Sequence, residues 1–593
     1  MKPRPSTRFA PPRNIQSLMN VALGHEKADL AVINANLVNV YSGELLAGQS
    51  VCIRDRWIAY VGQNPDPSIG PDTQVIDAAG QTLIPGLIDG HTHLAWLIRN
   101  DEFIRHAAAG GTTAMVTETL EAYPIAGVDG VMDFIDALAD QPIKVFCTAP
   151  FMASISSRSR GVAIEDLHRI LARPEIVGLG ESYWQALLQN PAEMTAALEE
   201  TLKTGKPLEG HSAGASERKL NAYLAAGITS CHEPIQAAEV LQRLRLGLHV
   251  MVREGSIRRD LKQIARINAS QAELRRLVLV TDGLSPQDLV EKGCMEFVVQ
   301  KAIDSGFGPI TAIQMATLNV AEHFGLDGLI GGIAPGRLAD MLIVPDMGRI
   351  QAQTVISDGR LIARNGQLMV APRCHQFSEA CMNTVRLPRP LSGSDFRIPV
   401  ASGRPAVTVR AIEMVTDLVT KESHIDLSVE NGELIADADQ DLLKIAAIDR
   451  ARNDGRMFVG IIKGFGLRQG ALACSTSWDS ADVIVVGAND SDMALAVNRI
   501  REHQGGAVVC NHGKSAAEVG LPILGIMSDR PLKETLEQLT LFNLVLSKLG
   551  VTLPDPLLTL STLSGAAIPY FRICEEGLVN LKDGKTKGLL VTD

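Results

Sequence analysis

Pro85-Gly86-Leu87-Ile88-Asp89-Gly90-His91-Thr92-His93 decides how the rest of this chain is read. A short apolar run ends in two histidines separated by one residue. Successive side chains on a strand point to opposite faces, so His91 and His93 point the same way. Two imidazoles side by side at the C-terminal end of a strand can grip one metal ion. The duller alternative is a pair that merely supports a loop. The strand context favours ligation, and with it a metal-dependent hydrolase.

From this motif onward, short apolar strands alternate with longer helical patterns, the rhythm of a parallel α/β fold. Eight strand candidates follow one another: Leu87–His91, Ala114–Thr117, Val145–Thr148, Ile176–Gly180, Pro207–Gly210, Ile228–Cys231, Leu248–Arg253 and Leu277–Thr281. Ala192–Leu202 and Ser216–Ala226 read as helices between them. The pattern predicts a (β/α)8 barrel over residues 85–330. Upstream, Leu30–Ile33 and Ile58–Val61 read as short strands, with Asn34 and Asn36 at turn or strand-edge positions. Residues 28–84 are therefore expected to be the first part of a small β domain. Helical patterns fill Pro286–Phe324, and Gly332–Val344 reads as a turn followed by a strand. That strand would complete the small β domain over residues 331–388, leaving the barrel inserted within it. Pro388-Arg389-Pro390 marks a break, after which residues 389–593 read as an additional C-terminal α/β domain. Its firmer strands are Met457–Ile462 and Val483–Gly487, and the glycines Gly464 and Gly466 between them suit packing or a turn better than a phosphate loop. Residues 1–27 read as an N-terminal extension.

Composition agrees with a multidomain enzyme. At 593 residues the chain is too long for one core, and 46% apolar with 21% charged residues is ordinary for a soluble protein. A formal charge of -11 does not favour a nucleic-acid partner. Met1–Arg13 is rich in Pro and Arg but lacks the apolar core of a signal peptide, and no run of 18 apolar residues suggests a membrane span. The nine cysteines are scattered without zinc-type pairing, which predicts reduced thiols in a cytoplasmic protein. The expected partner is a small molecule, with no nucleic acid and no membrane; self-association into a homo-oligomer stays open.

Four more polar residues matter for where they fall. Glu181 follows the fourth strand candidate, His211 the fifth, His232 the sixth and Asp282 the eighth. Strand C-terminal ends line the active-site mouth of this barrel class. His91, His93, Glu181, His211, His232 and Asp282 are thus expected to converge. Imidazole and carboxylate donors suit zinc, iron or manganese. Glu181 is the natural bridge between two divalent ions, and Asp282 can bind metal and accept a proton from the attacking water. Singly, each has a bland reading: His211 and His232 as structural hydrogen bonders, Glu181 as a surface carboxylate, Asp282 as a helix cap.

These residues resemble the amidohydrolase superfamily, and more narrowly the bacterial adenine deaminases. The resemblance covers most of the chain. It runs through Pro85–His93, Gly210-His211-Ser212-Ala213-Gly214, Leu220–Gly227, Cys231-His232-Glu233, Arg253-Glu254-Gly255-Ser256 and Thr281-Asp282. Met315–Asn319 and Pro335–Asp340 add to it. In the C-terminal domain Gly464-Phe465-Gly466-Leu467, Val485-Val486-Gly487 and Asp492–Ala496 continue it. The resemblance implies hydrolytic deamination of adenine to hypoxanthine and ammonia at a centre of two metals. It also implies a proton-shuttling or ligand-orienting role for Glu233. Ring binding would use Trp96 by stacking and Arg253 or Ser256 by hydrogen bonding, although Trp96 suits a core position equally. Three departures stand out. Leu94-Ala95-Trp96-Leu97 replaces an Ile-Glu-Ser-Ser stretch, Thr117-Glu118-Thr119-Leu120 lies where Asp-Pro-His-Glu is usual, and Trp478-Asp479-Ser480-Ala481 replaces His-Asp-Ser-His. They fit a shifted substrate range. The enzyme alternative is hydrolysis of a cyclic amide or N-acyl substrate at the same centre. A non-catalytic binding or assembly role is the second class.

Overall fold

The computed structural model describes residues 14–400 and 404–591. Met1–Arg13, read above as Pro- and Arg-rich, lies outside the described residues.

Two distant pieces of chain build one nine-stranded sheet. Its central seam pairs Thr82–Pro85 antiparallel with Met341–Val344, in the register Leu342 to Ile84 and Ile343 to Leu83. Everything between these partners is the parallel α/β unit. Alternating apolar residues of both pieces, among them Val32, Val51, Leu83, Met341, Ile343 and Ile356, share one buried cluster. The first strand, Leu30–Asn39, is longer than its apolar run. Asn34 and Asn36 lie inside it rather than at its end. Asn34 takes a left-handed φ of 57° at a bulge, a conformation asparagine tolerates, and its Nδ2 donates to Asp77 at 3.0 Å. The helix Ile15–Ala22 sets Leu18 and Val21 against Ala31, Cys52 and Ala59 of this sheet.

Eight parallel strands follow, at the places the sequence pattern predicts. They are β1 Leu87–Thr92, β2 Thr112–Thr117, β3 Lys144–Ala149, β4 Ile176–Tyr183, β5 Leu208–His211, β6 Ser230–Cys231, β7 His249–Arg253 and β8 Leu277–Val280. They do not form one continuous ladder. β1 to β5 make a five-stranded sheet that curls, and β6 to β8 make a three-stranded one. The expected (β/α)8 barrel is met in part: the unit is of barrel type, with its parallel strands in two sheets that meet at two seams rather than in one closed ladder. At the first seam β6 is only two residues long, and β5 meets the incoming chain through Thr229 N–H donating to Leu208 O at 2.9 Å. At the second, the fully buried Asp89 carboxylate takes the Thr281 N–H at 3.1 Å and the Thr281 hydroxyl at 2.6 Å, so a side chain stands where a ladder bond would run. The two sheets nonetheless share a core. Ile88, Ala114, Val116, Phe146, Val177, Met251, Val278 and Val280 pack in one cluster, drawn from strands of both. The flanking helices include Pro191–Lys203 and Glu217–Ala225.

The C-terminal region carries a ten-stranded mixed sheet, with Met457–Lys463 and Asp482–Gly487 on either side of Leu442–Asp449. The helix Asp490–His503 buries Met493, Ala496, Val497 and Ile500 against it. This region also reaches the mouth of the parallel strands. Leu97, just beyond β1, has a φ of 60°; its N–H donates to Ile526 O at 2.8 Å and its carbonyl accepts from Ser528 N–H at 3.2 Å. Among the described residues no helix is long and apolar enough to cross a membrane.

Candidate metal centre

The strand ends converge as their order predicts. His91 closes β1 and His93 lies just past it; Glu181 is on β4, His211 ends β5, His232 follows β6 and Asp282 follows β8. All six side chains are buried. Glu181 Oε1 is the focus. It lies 3.3 Å from His91 Nε2, 3.2 Å from His93 Nε2, 3.1 Å from His211 Nε2 and 3.6 Å from His232 Nε2. Asp282 Oδ1 approaches His91 Nε2 to 3.2 Å and His93 Nε2 to 3.8 Å. His91, Glu181, His232 and Asp282 each present a ligand atom within 4.8 Å of the others.

Local structure explains these placements. Asp282 has a left-handed φ of 62°, and its N–H donates to His91 O at 3.0 Å, which turns the chain at the end of β8 and tethers it beside β1. The Tyr223 hydroxyl accepts the His211 N–H at 2.9 Å and donates to the Ser182 carbonyl, fixing the end of β5. Tyr183 donates to Glu181 Oε2 at 2.9 Å, so Oε1 is the oxygen left for the imidazoles.

A second ring of carboxylates aims the imidazoles. Glu121 Oε1 is 2.6 Å from His93 Nδ1, Glu233 Oε1 is 3.1 Å from His211 Nδ1 and Glu118 Oε1 is 3.6 Å from His91 Nδ1. A ligand histidine commonly has such a partner on its other ring nitrogen, which sets the tautomer. Glu118 and Glu121 were missed by the sequence reading. Both follow β2, at the same kind of strand end that identified Glu181.

The electrostatics call for positive charge. Burial works against protonating His91, yet Asp282 and Glu181 outweigh it and bring its pKa up to about 9. Burial opposes His93 and His211 too, but Glu181 and Glu121 raise the first, and Glu233 and Glu181 the second. His232 is driven the other way, by burial and by the neighbouring His91 and His211, and stays neutral. Burial, with the Glu181 charge behind it, pushes Glu118 up to about 7. His91 Nε2 and both ring nitrogens of His211 are buried and face carboxylate oxygens at 3.1–3.3 Å without forming a well-aligned hydrogen bond, and both oxygens of Glu118 are buried with no hydrogen bond. Buried polar atoms seldom stay unpaired. Nitrogen and carboxylate donors converging in this way fit a divalent cation, and the cluster is that of a metal-dependent active site.

The remaining predicted residues are placed as follows. Arg253 sits beside Asp282 Oδ2 at 3.4 Å and Asp260 Oδ2 at 3.2 Å. Glu233 also accepts the Ala213 N–H at 2.6 Å. Trp96 is 2% exposed and meets Trp478 edge-on, the indole that lies over the His93 ring. Ser256 is not brought to the cluster: its hydroxyl donates to Asp288 at 2.6 Å and accepts from Ser285 N–H at 2.7 Å. Trp478, which the sequence reading took only as a departure, lies over the His93 ring.

Residues 82–362 match the model of the amidohydrolase family, and residues 417–585 that of the adenine deaminase C-terminal domain. An adenine deaminase of Moorella thermoacetica is 36% identical over 97% of this chain and 98% of its own length. One from Dehalococcoides mccartyi is 34% identical over 96% of this chain and 98% of its own. Among solved structures, an enamidase aligns with 58% of this chain and 99% of its own at 20% identity and a TM-score of 0.44.

Proposed function

From a chain that belongs to the amidohydrolase superfamily and is closely related to adenine deaminases, we infer a hydrolytic deaminase acting on adenine or a related aminopurine. Water enters, a hypoxanthine-type product and ammonia leave, and atoms balance without any further reactant. The observation that carries this reading is Glu181 Oε1, set 3.1–3.6 Å from four imidazole nitrogens. One carboxylate so placed suits a bridge between two divalent ions, with Mn, Fe and Zn all compatible with the donor set. His91, His93, Glu181, His211, His232 and Asp282 would hold them. Such ions lower the pKa of water and so supply a nucleophile near neutral pH.

The chain's own groups do the rest. Asp282 takes the proton of the attacking water on Oδ1, while burial, which would raise its carboxyl, is outweighed by the hydrogen bond with His91 and by Arg253 beside Oδ2, which hold it below the usual carboxylate range. Glu233 keeps His211 aimed and, ionised at rest, first accepts a proton and then passes it to a ring nitrogen or the departing amine. The two parallel sheets act as one barrel around this chemistry. None of the nine cysteines is in a disulfide, which suits a reducing compartment, and we place the reaction in the cytoplasm.

The test is ammonia release from purified protein supplied in turn with Mn, Fe and Zn. Adenine, other aminopurines, cyclic amides and N-acyl compounds are compared. Ammonia from an aminopurine supports the reading. Amide cleavage with no action on any aminopurine rejects it in favour of the cyclic-amide alternative.

A further inference from the structure

The segment following the strand Ala471–Cys474 leaves the C-terminal sheet and reaches the metal cluster. There the Trp478 indole lies parallel to the His93 ring, with centroids 5.2 Å apart and planes 4° apart. Its edge meets Trp96 at 6.2 Å and 81°. Trp478 is half-buried, so the indole still presents surface. The next residue, Asp479, is 2% exposed; its Oδ2 accepts the Ala566 N–H at 2.9 Å. Three polar atoms here are buried without a partner: Trp96 Nε1, Trp478 Nε1 and Asp479 Oδ1. A buried polar atom left unpaired destabilises the fold unless something satisfies it. Burial raises the Asp479 carboxyl to about 7, and the Glu181 charge adds to that.

We propose that Trp478 and Asp479 form a substrate-recognition wall contributed by the C-terminal region: the indole covers one face of a planar nitrogen heterocycle, and Asp479 Oδ1 and the two indole N–H groups pair with the ring edge remote from the reacting carbon. The reasoning rests on the aminopurine reading above and adds an orientation to it. The amino-bearing carbon faces Glu181 and Asp282, and the opposite edge faces Asp479. A purine edge offers both N–H donors and ring-nitrogen acceptors, which match one carboxyl oxygen and two indole donors. An indole stacks well on such a ring and poorly on an acyl chain. Both residues act by positioning.

Metal-loaded full-length protein is titrated with hypoxanthine, following tryptophan fluorescence and equilibrium dialysis, and steady-state kinetics are run with adenine. Trp478→Ala is expected to weaken hypoxanthine binding and raise KM by about tenfold or more, with kcat changed less than about threefold and bound metal unchanged. Trp478→Phe keeps a stacking ring and restores most of the affinity. Asp479→Asn keeps an acceptor for Ala566 and raises KM by about tenfold. Should Trp478→Ala fail to fold, Asp479→Asn decides alone. Variants within about twofold of wild type in KM and hypoxanthine affinity overturn the wall, as does a joint fall of kcat and metal content, which would mark a prop for His93. Wild-type protein that turns over adenine while the variants are unaffected sinks this inference alone. Wild-type protein that binds hypoxanthine through these residues but releases no ammonia sinks only the deaminase reading.

Discussion

Replacing Glu181 by glutamine probes the centre at its focus, because one oxygen faces four imidazoles. Glutamine keeps the volume and a carbonyl oxygen, and the Tyr183 hydroxyl can still donate to it. What disappears is the charge. At an effective dielectric of about 20, a unit positive charge about 4 Å from a carboxylate gains about 4 kcal/mol. The neighbouring imidazole nitrogens are at 3.1–3.6 Å, so positive charge held among them lies in this range. At about 1.4 kcal/mol per decade, the loss is roughly a thousandfold in affinity for a single charge, and a divalent ion makes that a lower bound. The assay is metal content by mass spectrometry after dialysis against buffered free metal, beside circular dichroism to confirm the fold. Glu181→Gln is expected to retain one ion or fewer per chain under conditions that saturate wild type. Ammonia release should fall by about a thousandfold or more. A folded variant with the full wild-type metal complement and more than about a tenth of the activity would refute the bridging role.

Glu121→Ala removes the partner 2.6 Å from His93 Nδ1 and is expected to lower metal affinity by about 10–100-fold with an unchanged circular dichroism spectrum, read by chelator competition. Gly210→Ala would put a methyl group 2.3 Å from the Tyr223 hydroxyl and 2.6 Å from Ile228, displacing the group that holds the His211 N–H; a loss of about 1–3 kcal/mol in thermal unfolding should accompany weaker metal retention. Glu296→Gln acts through protons. Burial lifts Glu296 from 4.5 to about 7, so between these values the unfolded chain has lost a proton that the fold retains, and stability falls as pH rises. Glutamine removes that penalty, and denaturant unfolding should show a gain of about 3 kcal/mol at pH 8 that vanishes near pH 4; an equal gain at both would contradict the linkage.

The parallel strands were legible because each is a short apolar run that carries its own signal. Their grouping was not. Whether eight strands close into one ladder depends on the seams, and those are decided by the brevity of β6 and by the Asp89 carboxylate capturing Thr281. A buried aspartate within an apolar run reads as an anomaly in sequence and becomes a seam only when β8 lies beside it. The Asn34 bulge escaped for a related reason: asparagine signals a turn, yet here its left-handed backbone is absorbed within a strand paired on both sides.

The site divides along the same line. The six side chains singled out from strand order converge around Glu181, four of them with ligand atoms within 4.8 Å of one another, since strand order fixes which ends meet. Applied evenly, the same rule reaches further. β2 ends at Thr117, and Glu118 and Glu121 follow it as directly as Glu181 closes β4. A family pattern hides them, because it shows only what the segment lacks, whereas the physical requirement is a carboxylate within reach of each outer imidazole nitrogen. Trp478 and Asp479 are a different case. They come from another sheet, nearly 400 positions beyond His91, and no periodicity ties them to the strand ends. Their position depends on contacts such as Leu97 with Ile526 and Ser528, which hold the C-terminal region across the mouth. Metal-binding capacity is therefore written in the parallel strands, while the wall facing the substrate is settled by how a separate sheet docks onto them, which lets the substrate change while the ligand set stays in place.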